Sequence, residues 1–265
     1  MLGHAVGQEL RGCKWIGVPF AGGMCELAHV KASTIVVNDL HRHVVNLARV
    51  VSVDHHRKTI QERLESMAFH PDILAEHQAA CIRWEQTEKS LGDYHNLDAA
   101  ISYFVSQWMG RSGKGGTDGE FSGKLPIRWN ANGGDSNTRY RSAVESLDAW
   151  GEVMRGCNFS TLDVFEFLES FDDQPKHAIY CDPPFPDAGG EYKHKFTPAQ
   201  HRQLAKRLAA VTRGRVVCRF YDHPLIREIY PEPRWTWRRM QGRKQTNEAS
   251  PEVLIINGPS YATNA

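Results

Sequence analysis

A chain of 265 residues has room for one substantial α/β domain and a smaller insertion, and too little for several full domains. Its 32 Lys and Arg nearly cancel its 31 Asp and Glu, leaving a formal charge of +1, so the composition excludes binding of a polyanion through an overall cationic field and leaves local patches as the route. The first dozen residues hold no apolar leader and no run reaches bilayer-spanning length, so the expectation is a cytoplasmic protein without a membrane partner.

In chain order, the first predicted strand is Trp15-Ile16-Gly17-Val18, followed by Pro19-Phe20-Ala21-Gly22-Gly23, where glycine permits a tight turn, and by a short helix over residues 25–30. A second strand, Thr34-Ile35-Val36-Val37, ends at Asn38-Asp39 and leads into an apolar-periodic helix over residues 40–53. This alternation predicts a parallel, doubly wound sheet whose ligands lie beyond the carboxyl ends of the strands. Residues 55–106 read as helical, with Pro71 opening one helix and another running over 97–108. Residues 110–123 are too rich in glycine to bury apolar surface and are expected to form a mobile loop. Alternation resumes with a helix over 142–155, a strand at Cys157-Asn158-Phe159, a helix after Asp163, and a buried strand over 177–181. A helix over 198–211, a strand over 215–220, a helix over 224–230 and strands near 235–238 and 253–257 complete the pattern. The sheet domain is thus expected from 1–54 and 141–265, with a helical and loop insertion over 55–140. Six cysteines without a Cys-x-x-Cys pair read as reduced core thiols, and Trp235 and Trp237 as packing residues.

Two motifs carry chemistry. The Pro19-Phe20-Ala21-Gly22-Gly23 turn lets a nucleotide-like cofactor approach backbone, and Asp39, at the next strand end, is placed to accept hydrogen bonds from ribose hydroxyls. A plain sharp turn and a helix N-cap are the alternatives for these two features. The apolar strand Ala178-Ile179-Tyr180-Cys181 feeds into Asp182-Pro183-Pro184-Phe185, where consecutive prolines stiffen the backbone and supply no amide donors. Such a rim offers the Asp182 carboxylate and the Pro183 carbonyl as two acceptors for an amino group, with Phe185 available to stack on a base.

The motifs, their order and their spacing resemble the DNA adenine methylase family. Val18-Pro19-Phe20-Ala21-Gly22-Gly23 looks like its cofactor motif, Asn38-Asp39-Leu40 like its ribose-binding strand end, and Asp182-Pro183-Pro184-Phe185 like its catalytic motif. Residues 192–208 and 252–257 are similar to its segment after the catalytic loop and its closing strand. The resemblance implies a Rossmann-like doubly wound methyltransferase sheet with a mainly helical target-recognition insertion. It also implies S-adenosylmethionine as methyl donor, S-adenosylhomocysteine as product, and a DNA adenine flipped from the stack as substrate. Asp39 would bind the ribose, and Asp163 would accept from the cofactor's adenine amino group, with helix N-cap as its alternative role. Val18 stands where the family carries an acidic residue, for which Glu26 is the candidate replacement; Met24 stands where a further glycine is common, and Phe185 replaces the commoner Tyr.

DNA contacts are expected from Arg111, Lys114 and Lys124, from Arg128-Trp129-Asn130, and from Arg139-Tyr140-Arg141, which mix phosphate-seeking cations with groups able to stack on or read bases. No metal is expected: His41 and His43, two apart on a helix, would point to different faces. RNA or cytosine-N4 methylation, a nucleic-acid-binding homologue without catalysis, and a nicotinamide-dependent oxidoreductase are the competing readings. A monomer or weak dimer is expected, and a restriction endonuclease partner is left open.

Overall fold

The apolar, β-branched runs become strands and the amphipathic stretches between them become helices, as the patterning dictates. The computed structural model describes residues 2–87, 95–110, 115–127, 135–186, 192–243 and 249–262. These form two compact units, one from 1–40 with 158–265 and one from 41–157.

The first unit is built on a seven-stranded, mostly parallel sheet. Its strands are β1 (Trp15–Val18), β2 (Thr34–Asn38), β3 (Cys157–Ser160), β4 (His177–Cys181), β5 (Arg215–Tyr221), β6 (Thr236–Arg243) and β7 (Ala249–Ile256), in the order β3-β2-β1-β4-β5-β7-β6. Strands β2, β1, β4 and β5 pair in parallel, while β7 runs antiparallel to both β5 and β6. The result is a mixed α/β architecture compatible with a Rossmann-like, doubly wound fold. Four of the five residues of β4 are buried, because a central parallel strand is covered on both faces. Helices α8 (Val164–Glu169), α9 (Pro198–Ala209) and α10 (Pro224–Ile229) each begin at a side-chain cap: Asp163, Thr197 and His223 accept from Phe165, Gln200 and Leu225 backbone amides. Cys13, Cys181 and Cys218 are buried free thiols here, but Cys25 is exposed. Trp235 is 2% exposed against Tyr230, and the Trp237 indole donates to the Tyr230 carbonyl at 2.8 Å, so both tryptophans pack.

Helix α1 (Leu2–Glu9) is not expected from local patterning, because its glycines lower helix propensity. Tertiary contact explains them: a Cβ on Gly7 would run into the His29 carbonyl. Glu9 at its end is fully buried and anchors the helix, taking Arg215 at 2.6 Å, Arg238 at 2.8 Å, the Ser260 hydroxyl at 2.5 Å and the Tyr261 amide at 2.9 Å. Burial works to raise the Glu9 pKa, and the donors together outweigh it and hold the carboxyl below its ordinary value.

The second unit is helical: α2 (Arg42–Ser52), α3 (Asp54–Glu65), α4 (Pro71–Thr87), α5 (Leu97–Trp108), α6 (Ser136–Glu145) and α7 (Leu147–Met154). Helix α5 is buried without interruption from Ala99 to Ser106 and is the core of this unit, with α2 and α4 packed on it. The expected boundaries at 54/55 and 140/141 fall inside the unit, because α2 packs on α5 and α7 and so belongs with the helices. The single helix expected over 142–155 is two, broken at Ser146, whose hydroxyl turns back to the Ala143 carbonyl at 2.7 Å. The described end of the glycine-rich segment is not a solvated loop: Glu120, in a 3-10 turn over Glu120–Ser122, is 4% exposed. No helix among the described residues is long and apolar enough to cross a membrane.

Removing the Glu9 carboxylate leaves two guanidinium groups without their shared counterion, so Glu9→Gln should cost about 3–5 kcal/mol at neutral pH, measured by urea denaturation. Because the folded pKa is depressed, this contribution should be present above about pH 4.5 and fade in wild type as pH falls through the folded value.

Candidate functional site

The carboxyl ends of β1, β2, β3 and β4 carry the residues singled out by sequence, and a buried asparagine ties three of them together. Asn38, 1% exposed, donates to the carbonyls of Pro19 (3.1 Å) and Leu162 (2.9 Å) and accepts from the Ser160 hydroxyl (2.8 Å) and the Leu162 amide (2.7 Å). The ends of β1, β2 and β3 are thereby fixed against one another by one side chain whose polar atoms are all used.

The turn after β1 is held in the same way. Ala21 donates to the Asn38 carbonyl at 3.0 Å and Gly22 to the Asp39 carboxylate at 2.9 Å. Gly22 has φ +47° with nothing within 4 Å of the place a Cβ would occupy, so the backbone there is open to a ligand; Met24 closes the turn at φ 55°. Asp39 is not the N-cap of α2, a position held by His41; it secures the glycine turn instead. Asp163 does cap α8: its Oδ1 accepts from Phe165 at 2.8 Å, and Glu166 completes a capping box. Beyond Phe20, the rings of Phe196 and Phe165 continue an aromatic wall, with centroids 5.5 Å from Phe20 to Phe196 and 6.4 Å from Phe196 to Phe165.

Asp182 leaves β4 with its side chain 24% exposed and meets Arg219 of β5, whose Nη1 donates to Oδ2 at 2.8 Å. The remaining fork of Arg219 grips Glu252 of β7, from Nη2 at 3.1 Å and Nε at 3.3 Å. One guanidinium is thus shared by two carboxylates, and among the described residues none donates to Oδ1 of Asp182. Burial pushes the Asp182 pKa up to about 6; Arg219 opposes the rise, and the charges of Glu26 and Glu252 add to it. Burial would lower the Arg219 pKa, but Asp182 and Glu252 outweigh it and hold the group well above its ordinary value. The chemistry available is a carboxylate held by one oxygen, with the other free to accept a proton or a hydrogen bond near neutral pH.

Phe185 departs from expectation. It is 8% exposed, with Tyr221 edge-on at 4.3 Å and the Arg219 guanidinium carbon 5.6 Å from its ring centre, so its ring is core packing and not an open stacking platform. The half-buried Tyr192 lies near both Asp182 and the half-buried Tyr221 instead: burial raises the Tyr192 pKa, with the charges of Asp182 and Tyr221 adding to it. Pro183 is buried and Pro184 half-buried.

Of the residues expected to meet DNA, Arg111, Lys114, Arg128, Trp129 and Asn130 lie outside the described residues. Lys124 and Arg139 are exposed. Tyr140 is corrected: it is fully buried in the helical unit, its hydroxyl donating to the Leu64 carbonyl at 3.0 Å, and it presents no face to a base. Arg141 caps the end of α3 through the carbonyls of Glu65 (2.6 Å) and Met67 (2.8 Å).

Sequence reasoning missed Arg219 and Glu252 as site residues. A lone arginine within the apolar run Val216-Val217-Cys218-Arg219-Phe220 is a signal, since a buried strand carries a charge only beside a partner. The helical argument against pairing His41 with His43 also fails, because His41 precedes α2 with φ −77° and ψ 89°. The two rings lie 5.9 Å apart against Tyr103.

A scan against protein-family models found no match to this chain, and a search of the curated proteins found none either.

Loss of the Arg219 charge should raise the Asp182 pKa above about 6, read by carbon NMR titration of labelled aspartate in Arg219→Met. The folded pKa exceeds the ordinary 3.8, so the native state takes up the proton first and ionised Asp182 is a stability cost. Wild type should therefore lose stability relative to Asp182→Asn as pH rises through about 6, measured by urea midpoints.

Proposed function

We propose that this protein transfers the methyl group of S-adenosylmethionine to the N6 amino group of adenine in DNA, on a methyltransferase sheet. One observation carries the reading. Chain order runs outward from β1 to β2 and β3 on one side and from β4 to β5 on the other, so the sheet's switch point lies between β1 and β4. The Gly22 turn and Asp182 stand at the carboxyl ends of those two strands. Ligands of doubly wound sheets bind at that crevice.

The residues fit such a cofactor. Gly22 and Gly23 are exposed, Asp39 supplies a carboxylate for ribose hydroxyls, and Phe20, Phe165 and Phe196 supply an apolar wall for an adenine ring, with Asp163 at the head of α8 for its amino group. When bound, the group supplies an electrophilic sulfonium methyl. Asp182 then has two tasks. Its open Oδ1 accepts an N–H of the target amino group, and its raised pKa suits it to take the proton that the nitrogen sheds on gaining a methyl group. Arg219, braced by Glu252, fixes the carboxylate so that little orientation is lost on binding. The Pro183 carbonyl is the second acceptor in this reading, and the partly exposed Tyr221 and Tyr192, in place of Phe185, are the aromatic surfaces for the base. Of the cations expected to contact phosphate, Lys124 and Arg139 are described and exposed.

Labelled S-adenosylmethionine incubated with duplex DNA should yield labelled N6-methyladenine on nucleoside analysis. Measurable cofactor binding without any labelled methyladenine across several DNA substrates overturns the proposal. Asp182→Ala should abolish turnover while cofactor binding stays within a few fold; parallel loss of binding would move Asp182 into the cofactor site. Because the ionised form is the active one, kcat/KM should rise with pH through a midpoint of about 6.

A further inference from the structure

In the helical unit, three elements that are distant in sequence bring oxygen and nitrogen donors to one point. His41 lies at the head of α2, Glu85 on the last turn of α4, and Glu120 in the 3-10 turn that ends the glycine-rich segment. One ligand atom from each lies within 4.8 Å of the others. His41 Nε2 is 2.8 Å and 2.9 Å from the two oxygens of Glu120. The side chains of His41 and Glu120 are 6% and 2% exposed, and that of Glu85 is 25% exposed. We propose that His41, Glu85 and Glu120 form a binding site for a divalent transition-metal ion of the zinc class.

The donor set fits that chemistry. An imidazole and two carboxylates form a three-ligand site for zinc, with metal–ligand bonds of about 2.0–2.2 Å and room for a fourth, non-protein ligand. His41 and Glu120 hydrogen-bond directly at 2.8 Å, and ligands on a tetrahedral ion with such bonds are about 3.3 Å apart, so an ion would replace that bond with a small outward shift of the two side chains. The imidazole favours a transition metal over magnesium or calcium, which prefer oxygen alone. Arg42, next to His41, directs its guanidinium to the Glu85 backbone carbonyl at 3.2 Å and over the Trp84 ring at 5.4 Å.

An outer layer is also present. His43 Nε2 is 3.6 Å from Glu85 Oε1, and its ring is packed by Trp84 at 4.4 Å, Tyr103 at 5.2 Å and Phe121 at 5.3 Å. A ring packed this closely limits the rotation of the Glu85 carboxylate, and an aromatic surround excludes water. The Gly116 amide donates to Glu120 Oε2 at 2.9 Å, so a bound ion would tie the glycine-rich segment to α2 and α4. The site owes nothing to the methyl-transfer reading and stands or falls apart from it.

The 265-residue chain, stripped with chelator and titrated with zinc against a chromophoric competitor, should take up one equivalent and gain thermal stability. His41→Ala and Glu120→Gln should weaken binding by tenfold or more and lose the thermal gain; His43→Phe should weaken it by about tenfold. X-ray absorption on the loaded protein should show only nitrogen and oxygen neighbours. If His41→Ala fails to fold by circular dichroism, the partly exposed Glu85→Gln gives the same reading. Less than one equivalent bound at about 100-fold zinc excess over protein, sulfur in the coordination sphere, or wild-type affinity in Glu85→Gln and Glu120→Gln would each overturn the proposal.

Discussion

A buried strand that carries a charge must meet that charge within its own sheet, and Arg219 on β5 imposes this constraint on everything around it. Its neighbours along the strand are apolar and buried, so its guanidinium has few places to go. Asp182 at the end of β4 takes one side of the fork, and Glu252 on β7 takes the other. Register sets this up: Cys181 pairs with Cys218, and Tyr221 with Glu252, which carries both carboxylates to the same stretch of β5. The antiparallel placement of β7 next to β5 therefore has a chemical consequence, since it delivers the second carboxylate that keeps Arg219 from belonging wholly to Asp182. Burial pushes the Asp182 pKa up to about 6; Arg219 opposes that rise, and the Glu252 charge adds a small push of its own.

The other half of the carboxyl edge is organised by hydrogen bonds and not by charge. Asn38 presents an amide that satisfies donors and acceptors on three strand ends at once, and Asp39 beside it holds the glycine turn through Gly22. Leaving such buried groups unmet would cost about 1–3 kcal/mol each, which is why short strands of four or five residues keep a fixed geometry at their ends. The proposed cofactor turn and proposed base-binding rim thus rest on two different kinds of support within one sheet.

Legibility differed between these parts for physical reasons. The strands, the Gly22 turn and the Asp182 strand end could be read because each depends on local periodicity or on backbone preferences of glycine and proline. Helix α1 could not, since Gly3 and Gly7 argue against a helix locally and are explained only by their close approach to His29. Tyr140 looked like a reader of bases because it lies between two arginines, yet the helical phase turns it inward to Leu64. Phe185 looked like a platform, but Tyr221 and Arg219 cover it.

By itself the sequence determined the α/β alternation, the parallel core strands and the position of the two motifs at strand ends, because these follow from the patterning of residues near one another in the chain. Tertiary structure alone decided which charges meet. Arg219 is 37 residues from Asp182 and 33 from Glu252, and His41 is 79 from Glu120. No local pattern specifies pairs across such separations. Sheet order, register and helix packing do, and through them the ionisation of Asp182 and the convergence of His41, Glu85 and Glu120 were set.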